Sequence, residues 1–416
     1  MTAKRYERRR WTPAEGAFGG RSSRRRFDYD AFLPDPIAAL EPSLPADIAG
    51  IVTVAEVAVR DLNTGAPGLG ALEALARQLL RAEAVASSRI EGLEMSHRRL
   101  ARAAFDPDEA DASARYVLGN VRAMEQAIAL GARARAFTIR DIRGVHATLF
   151  RDTPYERHGG ELRSSQNWIG GDEESPRNAD FIPPPEDRVP SLLDDLCAFV
   201  ERDDLPAVAQ AAIAHAQFET IHPFGDGNGR VGRCLIHVVL RRRGLAVQYV
   251  PPVSLILATD QTAYIRGLTT FRSYTPDGLA SWVGTFAQAL RTAGREALGF
   301  AAEVGALQEK LLKRAKLRRR GSTKQRLITA LPAEGVIDVR RASEIAGVTY
   351  EAARLAVEEL VDAGVLHAIS GRKRDRLYEA REVFELVDDF ERRLAIPGGG
   401  RRPTRPVPRR RKARRG

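Results

Sequence analysis

Residues 222–233, His-Pro-Phe-Gly-Asp-Gly-Asn-Gly-Arg-Val-Gly-Arg, constrain this chain more than any other stretch. They cut between two apolar helical patterns, the Ala-rich 207–221 and the stripe Val231, Cys234, Leu235, Val238 and Val239. A Gly-rich turn running straight into a helix presents unpaired backbone N–H groups and the positive end of the helix macrodipole, which together cradle phosphate. Other glycine motifs fail on context. Gly227-x-Gly229-x-x-Gly232 matches the dinucleotide fingerprint in form, but a helical pattern precedes it and no βαβ unit surrounds it. A Walker A loop needs Gly-Lys-Ser/Thr, which the turn lacks. An EF-hand starting at Asp226 needs Gly and Glu where Val231 and His237 stand.

The side chains of the turn carry matching chemistry. Asp226 supplies an oxygen of the kind Mg²⁺ prefers, and His222 is suited to taking a proton near neutral pH. Arg230 and Arg233, three apart, are placed on one face of the following helix, and Phe224 is the expected anchor of the loop in the core. A base, a metal ligand, an anion-binding turn and two cationic clamps in one turn describe nucleotidyl or phosphoryl transfer. The plain alternative is a Gly-rich helix connection with a solvated Arg face.

Around the turn the chain reads as mainly α. Three- and four-residue apolar spacing predicts helices over 46–62, 70–87, 112–136, 138–150 and 191–201, and two or three more up to about Gly299. Within 161–185, ELRSSQNWIG and ADFIPPP flank a polar loop and predict a β-hairpin. Residues 321–396 change rhythm: helix, short strand GVIDV, helix, turn, a longer helix over 349–363, then a hairpin with a basic tip at 371–375. That order is a winged helix-turn-helix. Histidines 97, 146, 158, 215, 237 and 367 show no metal-ligand spacing, so no Zn site is expected.

HPFGDGNGRVGR resembles the signature of the Fic domain family, whose members commonly transfer AMP from ATP to a protein hydroxyl. The resemblance implies that His222 deprotonates the target Ser, Thr or Tyr hydroxyl and that Asp226 holds Mg²⁺. It also implies that Gly227, Asn228, Gly229 and Arg230 hold the α/β-phosphates, and that Arg233 meets the γ-phosphate. The 161–185 hairpin resembles the family's flap, which takes a protein target by strand addition. Tyr264 resembles one of a Tyr pair lying against the nucleotide; its partner position is Ala263, so a core Tyr is the competing reading.

Upstream, Ser87-Ser-Arg-Ile-Glu91-Gly92 reads locally as a capping box, Ser88-x-x-Glu91. It is also similar to the family's inhibitory motif, Ser/Thr-x-x-x-Glu-Gly/Asn, in which the carboxylate occupies the γ-phosphate's clamp, here Arg233. In some relatives the same Glu serves removal of AMP.

The implied organisation is a basic arm over 1–26, an N-terminal helical region with the inhibitory helix over 27–120, and a Fic-type catalytic core over 121–300. A basic connector over 301–320, the winged helix over 321–396 and a basic disordered tail over 397–416 complete it. The net charge of +11 belongs to the ends: residues 27–400 hold 47 basic against 52 acidic residues. Duplex DNA bound through 310–416 is therefore expected from wing, connector and tail, although Glu351, Glu358, Glu359 and Asp362 oppose it on the longer helix. The alternatives are protein docking or a homodimer through the same module. No apolar run reaches membrane-span length, two cysteines exclude a disulfide framework, and a cytoplasmic protein is expected. Two other functional readings stay open: a DNA-binding regulator with a secondary Fic core, and Fic-type transfer of phosphate or another nucleotide.

Overall fold

A computed structural model describes residues 5–12, 26–65, 72–172, 174–317, 321–369 and 376–394. Strands β1 (Tyr6–Trp11) and β2 (Phe27–Phe32) open the described chain, followed by helices α1 (Ala46–Thr64), α2 (Leu72–Ile90), α3 (His97–Phe105), α4 (Ala112–Gly131) and α5 (Ile139–Phe150). Next come α6 (Val189–Val200), α7 (Ala207–Ile221), α8 (Asn228–Arg242), α9 (Val253–Thr259), α10 (Gln261–Phe271) and α11 (Pro276–Arg314). The C-terminal module is α12 (Thr323–Glu334), β3 (Val336–Ile337), α13 (Val339–Ala346), α14 (Tyr350–Asp362), β4 (His367–Ala368), β5 (Tyr378–Glu379) and α15 (Arg381–Leu394). Its strands form one antiparallel sheet in the order β3-β5-β4, and Thr349 caps α14 as the helix after the turn. The mainly α expectation holds, and no helix among the described residues is long and apolar enough to cross a membrane.

α7 is the axis of the main body. Every one of its residues is buried, which its sequence AVAQAAIAHAQFETI permits because small alanines let α6, α8 and α11 close around it. Trp282 of α11, fully buried, seals one side by donating its indole N–H to Ala212 O at 2.8 Å. α4 packs against both α2 and α8, so α2 is held beside the turn that joins α7 to α8.

Several sequence boundaries move. The divisions at 120/121 and 300/301 fall inside α4 and α11, whose apolar stripes continue without a break. The connector up to Arg314 is the end of α11, a helix of 39 residues. The basic arm is partly ordered: Tyr6–Trp11 pairs antiparallel with Phe27–Phe32, with Arg10 ion-paired to Asp28 at 2.9 Å. Cross-strand pairs of Tyr6 with Phe32, Trp11 with Phe27, and Arg8 and Arg10 with Asp30 and Asp28 support that pairing; β1 itself, YERRRW, has no alternating pattern to show it in the sequence.

The 161–185 hairpin is reduced to a single antiparallel bridge, Ile169 to Phe181. Prolines 183–185 have no N–H to donate, and Gly170 and Gly171 take left-handed conformations that interrupt an extended chain. The wing tip at 371–375, Arg318–Arg320 of the connector and the tail at 397–416 lie outside the described residues.

Candidate active site

His222 ends α7 in a left-handed conformation, φ 51° and ψ 60°, which costs a non-Gly residue free energy and persists only where neighbours enforce it. Its N–H donates to Phe218 O at 2.9 Å, and its carbonyl accepts from Arg163 Nε at 2.9 Å and Asn167 Nδ2 at 3.3 Å. The imidazole is 18% exposed. Burial, with Arg272 and Arg163 nearby, lowers its pKa to about 4, so the ring is neutral at pH 7.

The loop between the helices is braced from inside. Phe224 is fully buried, as expected of the anchor, and the amide of Asn228 bonds both Phe224 N–H (2.9 Å) and Phe224 O (2.8 Å). Asn228 thus shapes the loop with its side chain, which leaves only its backbone for an anion. The ring of His146 stacks on Phe224 at 3.8 Å. Its Nδ1 accepts from Gly160 N–H (2.8 Å), so Nε2 carries the proton and donates it to Asp226 O (3.0 Å). Gly227 precedes α8 with φ 78°, where an added Cβ would lie 2.7 Å from the Phe150 ring. Asp226 is 57% exposed, and its Oδ1 accepts from Gly227 N–H at 2.6 Å.

Arg230 and Arg233 of α8 are both buried but turn to different partners. Arg230 lies under the Phe150 ring at 5.1 Å and 3.5 Å from Asp226, and its Nε and Nη1 have no hydrogen-bond partner. Buried donors without a partner are the exception in folded proteins. Arg233 is engaged instead: Nε donates to Ser87 Oγ (2.8 Å), and Nη2 to Ser87 O (2.8 Å) and Glu91 Oε1 (2.7 Å). Burial alone would raise the Glu91 carboxyl, but Arg233 outweighs it and holds the group below the usual carboxylate range. Gly229 is where the two helices meet, since any side chain there would collide with the Glu91 carboxylate.

The Ser87–Gly92 segment is not a capping box. α2 runs through Ser88 to Ile90, the Ser88 hydroxyl bonds Ala84 O at 2.8 Å inside the helix, and Glu91 projects from the turn that follows. The helix is seated on α8 and α9 by Glu83, fully buried, which accepts from Ser254 N–H (2.7 Å) and Oγ (2.5 Å) and lies 3.1 Å from His237 Nε2.

Tyr264 is 5% exposed, with its hydroxyl 2.8 Å from His215 Nε2. It belongs to the main core, because the α10 face that bears it packs on α11. Glu219, one turn before His222, is raised to about 7 by burial and faces Arg233 and Glu91.

No motif in the sequence singles out Arg163. It is 9% exposed and, besides His222 O, donates to Ser165 O (3.2 Å) and Pro184 O, tying the 161–185 segment to the turn.

A divalent ion fits this site only together with its substrate. Among the described residues no group of three or more His, Cys, Asp or Glu gathers to hold a metal. Asp226 is the exposed carboxylate beside the unpaired Arg230, and Mg²⁺ commonly takes one or two carboxylates plus substrate phosphates.

Comparison with known proteins follows the same elements. Residues 136–240 match the Fic/DOC family model and residues 51–129 match the Fic/DOC family N-terminal model. A probable protein adenylyltransferase of Aquifex aeolicus is 43% identical over 68 residues, 16% of this chain and 21% of that protein. The protein adenylyltransferase Fic of Drosophila willistoni is 32% identical over 139 residues, 32% of this chain and 26% of that protein. The chain therefore spans about a quarter or less of the length of these curated relatives. A solved Fic family protein from Desulfovibrio desulfuricans has the same fold, with TM-score 0.50 and 23% identity, covering 82% of this chain and 98% of that one. The two family matches take in α2 and the α7–α8 turn, so the segments that build this site are those that resemble the Fic/DOC family.

Proposed function

We propose that this chain is an autoinhibited protein adenylyltransferase that moves AMP from ATP to a Ser, Thr or Tyr hydroxyl of a protein target. The observation that carries the reading is Arg230, whose buried Nε and Nη1 lack acceptors in the first turn of α8, 3.5 Å from Asp226. Neutral His222 takes the hydroxyl proton as the oxygen bonds the α-phosphorus, and the α–β phosphoanhydride bond breaks to release pyrophosphate. Backbone N–H groups of α8 and Arg230 stabilise the phosphate charge. Mg²⁺, held by Asp226, would neutralise charge on the leaving group. The target segment docks on residues 161–185, which Arg163 fastens to His222.

Autoinhibition is read from Glu91, which occupies the guanidinium of Arg233 that would otherwise meet the γ-phosphate. The test is incubation with ATP labelled at the α- or γ-position and Mg²⁺, followed by mass spectrometry. AMP transfer predicts α-label alone on protein, whereas γ-label would establish phosphoryl transfer. Loss of labelling by about 10²–10⁴ in His222→Ala supports the base assignment, and full retention overturns it.

The DNA reading of 310–416 depends on its undescribed parts. On α14, Arg354 is neutralised by Glu351 and Glu358, both at 2.5 Å, so phosphate contacts fall to the wing tip and tail.

A further inference from the structure

Arg233 holds Glu91 from one side; the turn that carries it is held from the other side by the C-terminal module. α2 ends at Ile90 and α3 begins at His97, so Glu91 stands in the turn over residues 91–96. Glu91, Gly92, Glu94 and Ser96 are exposed there, and Met95 is buried. The Glu391 carboxylate of α15 spans this turn. Its Oε2 accepts from Arg89 Nη2 at 2.8 Å, and its Oε1 lies 2.7 Å from His97 Nε2.

The bridge is sheltered: Glu391 is 12% exposed and His97 5%. Burial alone would raise the carboxyl, but His97 and Arg89 hold it down at about 2, so it stays charged. The same module grips the rest of α2. Gln78 donates to Pro332 O and Arg81 to Ala333 O (2.7 Å), and Leu75, Leu79 and Ala86 share a core with Val387, Phe390 and Leu394. Arg102 of α3 pairs with Glu379 of β5 at 2.8 Å.

We propose that Glu391 is a positioning residue for Glu91: the C-terminal module staples both flanks of the 91–96 turn and so sets how firmly Glu91 stays on Arg233. This rests on the autoinhibitory reading of Glu91 given above, and it adds the place from which that contact is controlled. A partner that shifts α15 loosens the turn without touching α8.

Hydrogen–deuterium exchange on the full chain, run beside self-labelling from α-labelled ATP, separates the two readings. Glu391→Gln should speed exchange of amides 91–96 by about 10-fold, the scale of one charge-assisted bond, while amides 222–230 keep their wild-type rates. Labelling should rise by about 3- to 10-fold in the same variant, and the substitution should add nothing on top of Glu91→Gly.

Unchanged exchange at 91–96 in a folded Glu391→Gln protein overturns the staple. Faster exchange without faster labelling, in a protein that Glu91→Gly does accelerate, overturns the coupling. If Glu91→Gly itself fails to accelerate labelling, the autoinhibitory reading falls and takes the proposed control with it, leaving exchange to judge the staple as a structural bridge. Should Glu391→Gln unfold the module, Arg89→Gln removes half of the bridge from a side chain that is 40% exposed, and the same outcomes apply.

Discussion

Replacing Glu91 by Gly removes the carboxylate 2.7 Å from Arg233 Nη2 and leaves the guanidinium on Ser87 through its two 2.8 Å bonds. Arg233 is 1% exposed with Glu91 in place, so an arriving anion needs the position that the carboxylate holds. A charge-assisted hydrogen bond contributes about 1.5–3 kcal/mol net. The Glu91 side chain is 35% exposed, so solvent screening puts this pair at the low end, ~1.5–2 kcal/mol. At tenfold per ~1.4 kcal/mol, the fraction of protein whose Arg233 is free rises by ~10- to 30-fold, and labelling from α-labelled ATP should rise with it.

Glu91→Gln, which keeps the shape and loses the charge, should fall between the variant and the wild type. The sign with pH follows from the depressed Glu91 carboxyl: the pair is complete at neutral pH and is lost as pH falls through the lowered value. Because Arg233 stays buried with one partner fewer, the activated variant should also melt earlier. A folded Glu91→Gly protein that labels no faster than wild type would refute the reasoning and make Glu91 only the residue after α2.

Arg163→Ala should cut kcat by about 10–100-fold with little change in the KM for ATP. It frees the His222 carbonyl, and a small displacement of a base is costly; an unchanged kcat would show that the left-handed His222 holds itself. Stability should fall steadily from pH 7 to pH 5. His146, His215 and His222 are held by burial at about 4, 3 and 4, so the unfolded chain takes up protons that the folded one refuses. Each contributes a slope of ~1.4 kcal/mol per pH unit below the ordinary histidine value, and Glu219, raised to about 7, opposes them as a single group. Melting curves across that range check the sign. For the full chain with and without residues 401–416, titration with duplex DNA at two salt concentrations should show a tail contribution of about 0.9 per phosphate to the log–log salt slope. Binding that vanishes with the tail would assign the module to protein partners.

The α7–α8 turn was legible in the sequence because its parts are local: His222, Asp226, Gly227, Arg230 and Arg233 lie within one turn and one helix, where spacing alone places them. Most helices were legible for the same reason, since a three-to-four periodicity is written along a single stretch; the nine-residue α3 was too short to show one. Tertiary structure decided what each group faces. Ser88 reads as a cap until α4 supplies Asn120, whose amide donates to the Ser88 hydroxyl at 3.0 Å inside a continuing helix. Tyr264 becomes a core residue only when α11 closes over it. Arg163 and His146, both without a motif, reach the turn from segments that precede it by tens of residues. The Glu391 bridge joins residues 302 and 294 positions apart. Periodicity and turn chemistry act over a few neighbouring residues, whereas burial, ion pairing and the unsatisfied donors of Arg230 depend on which distant side chains packing brings within a few ångströms.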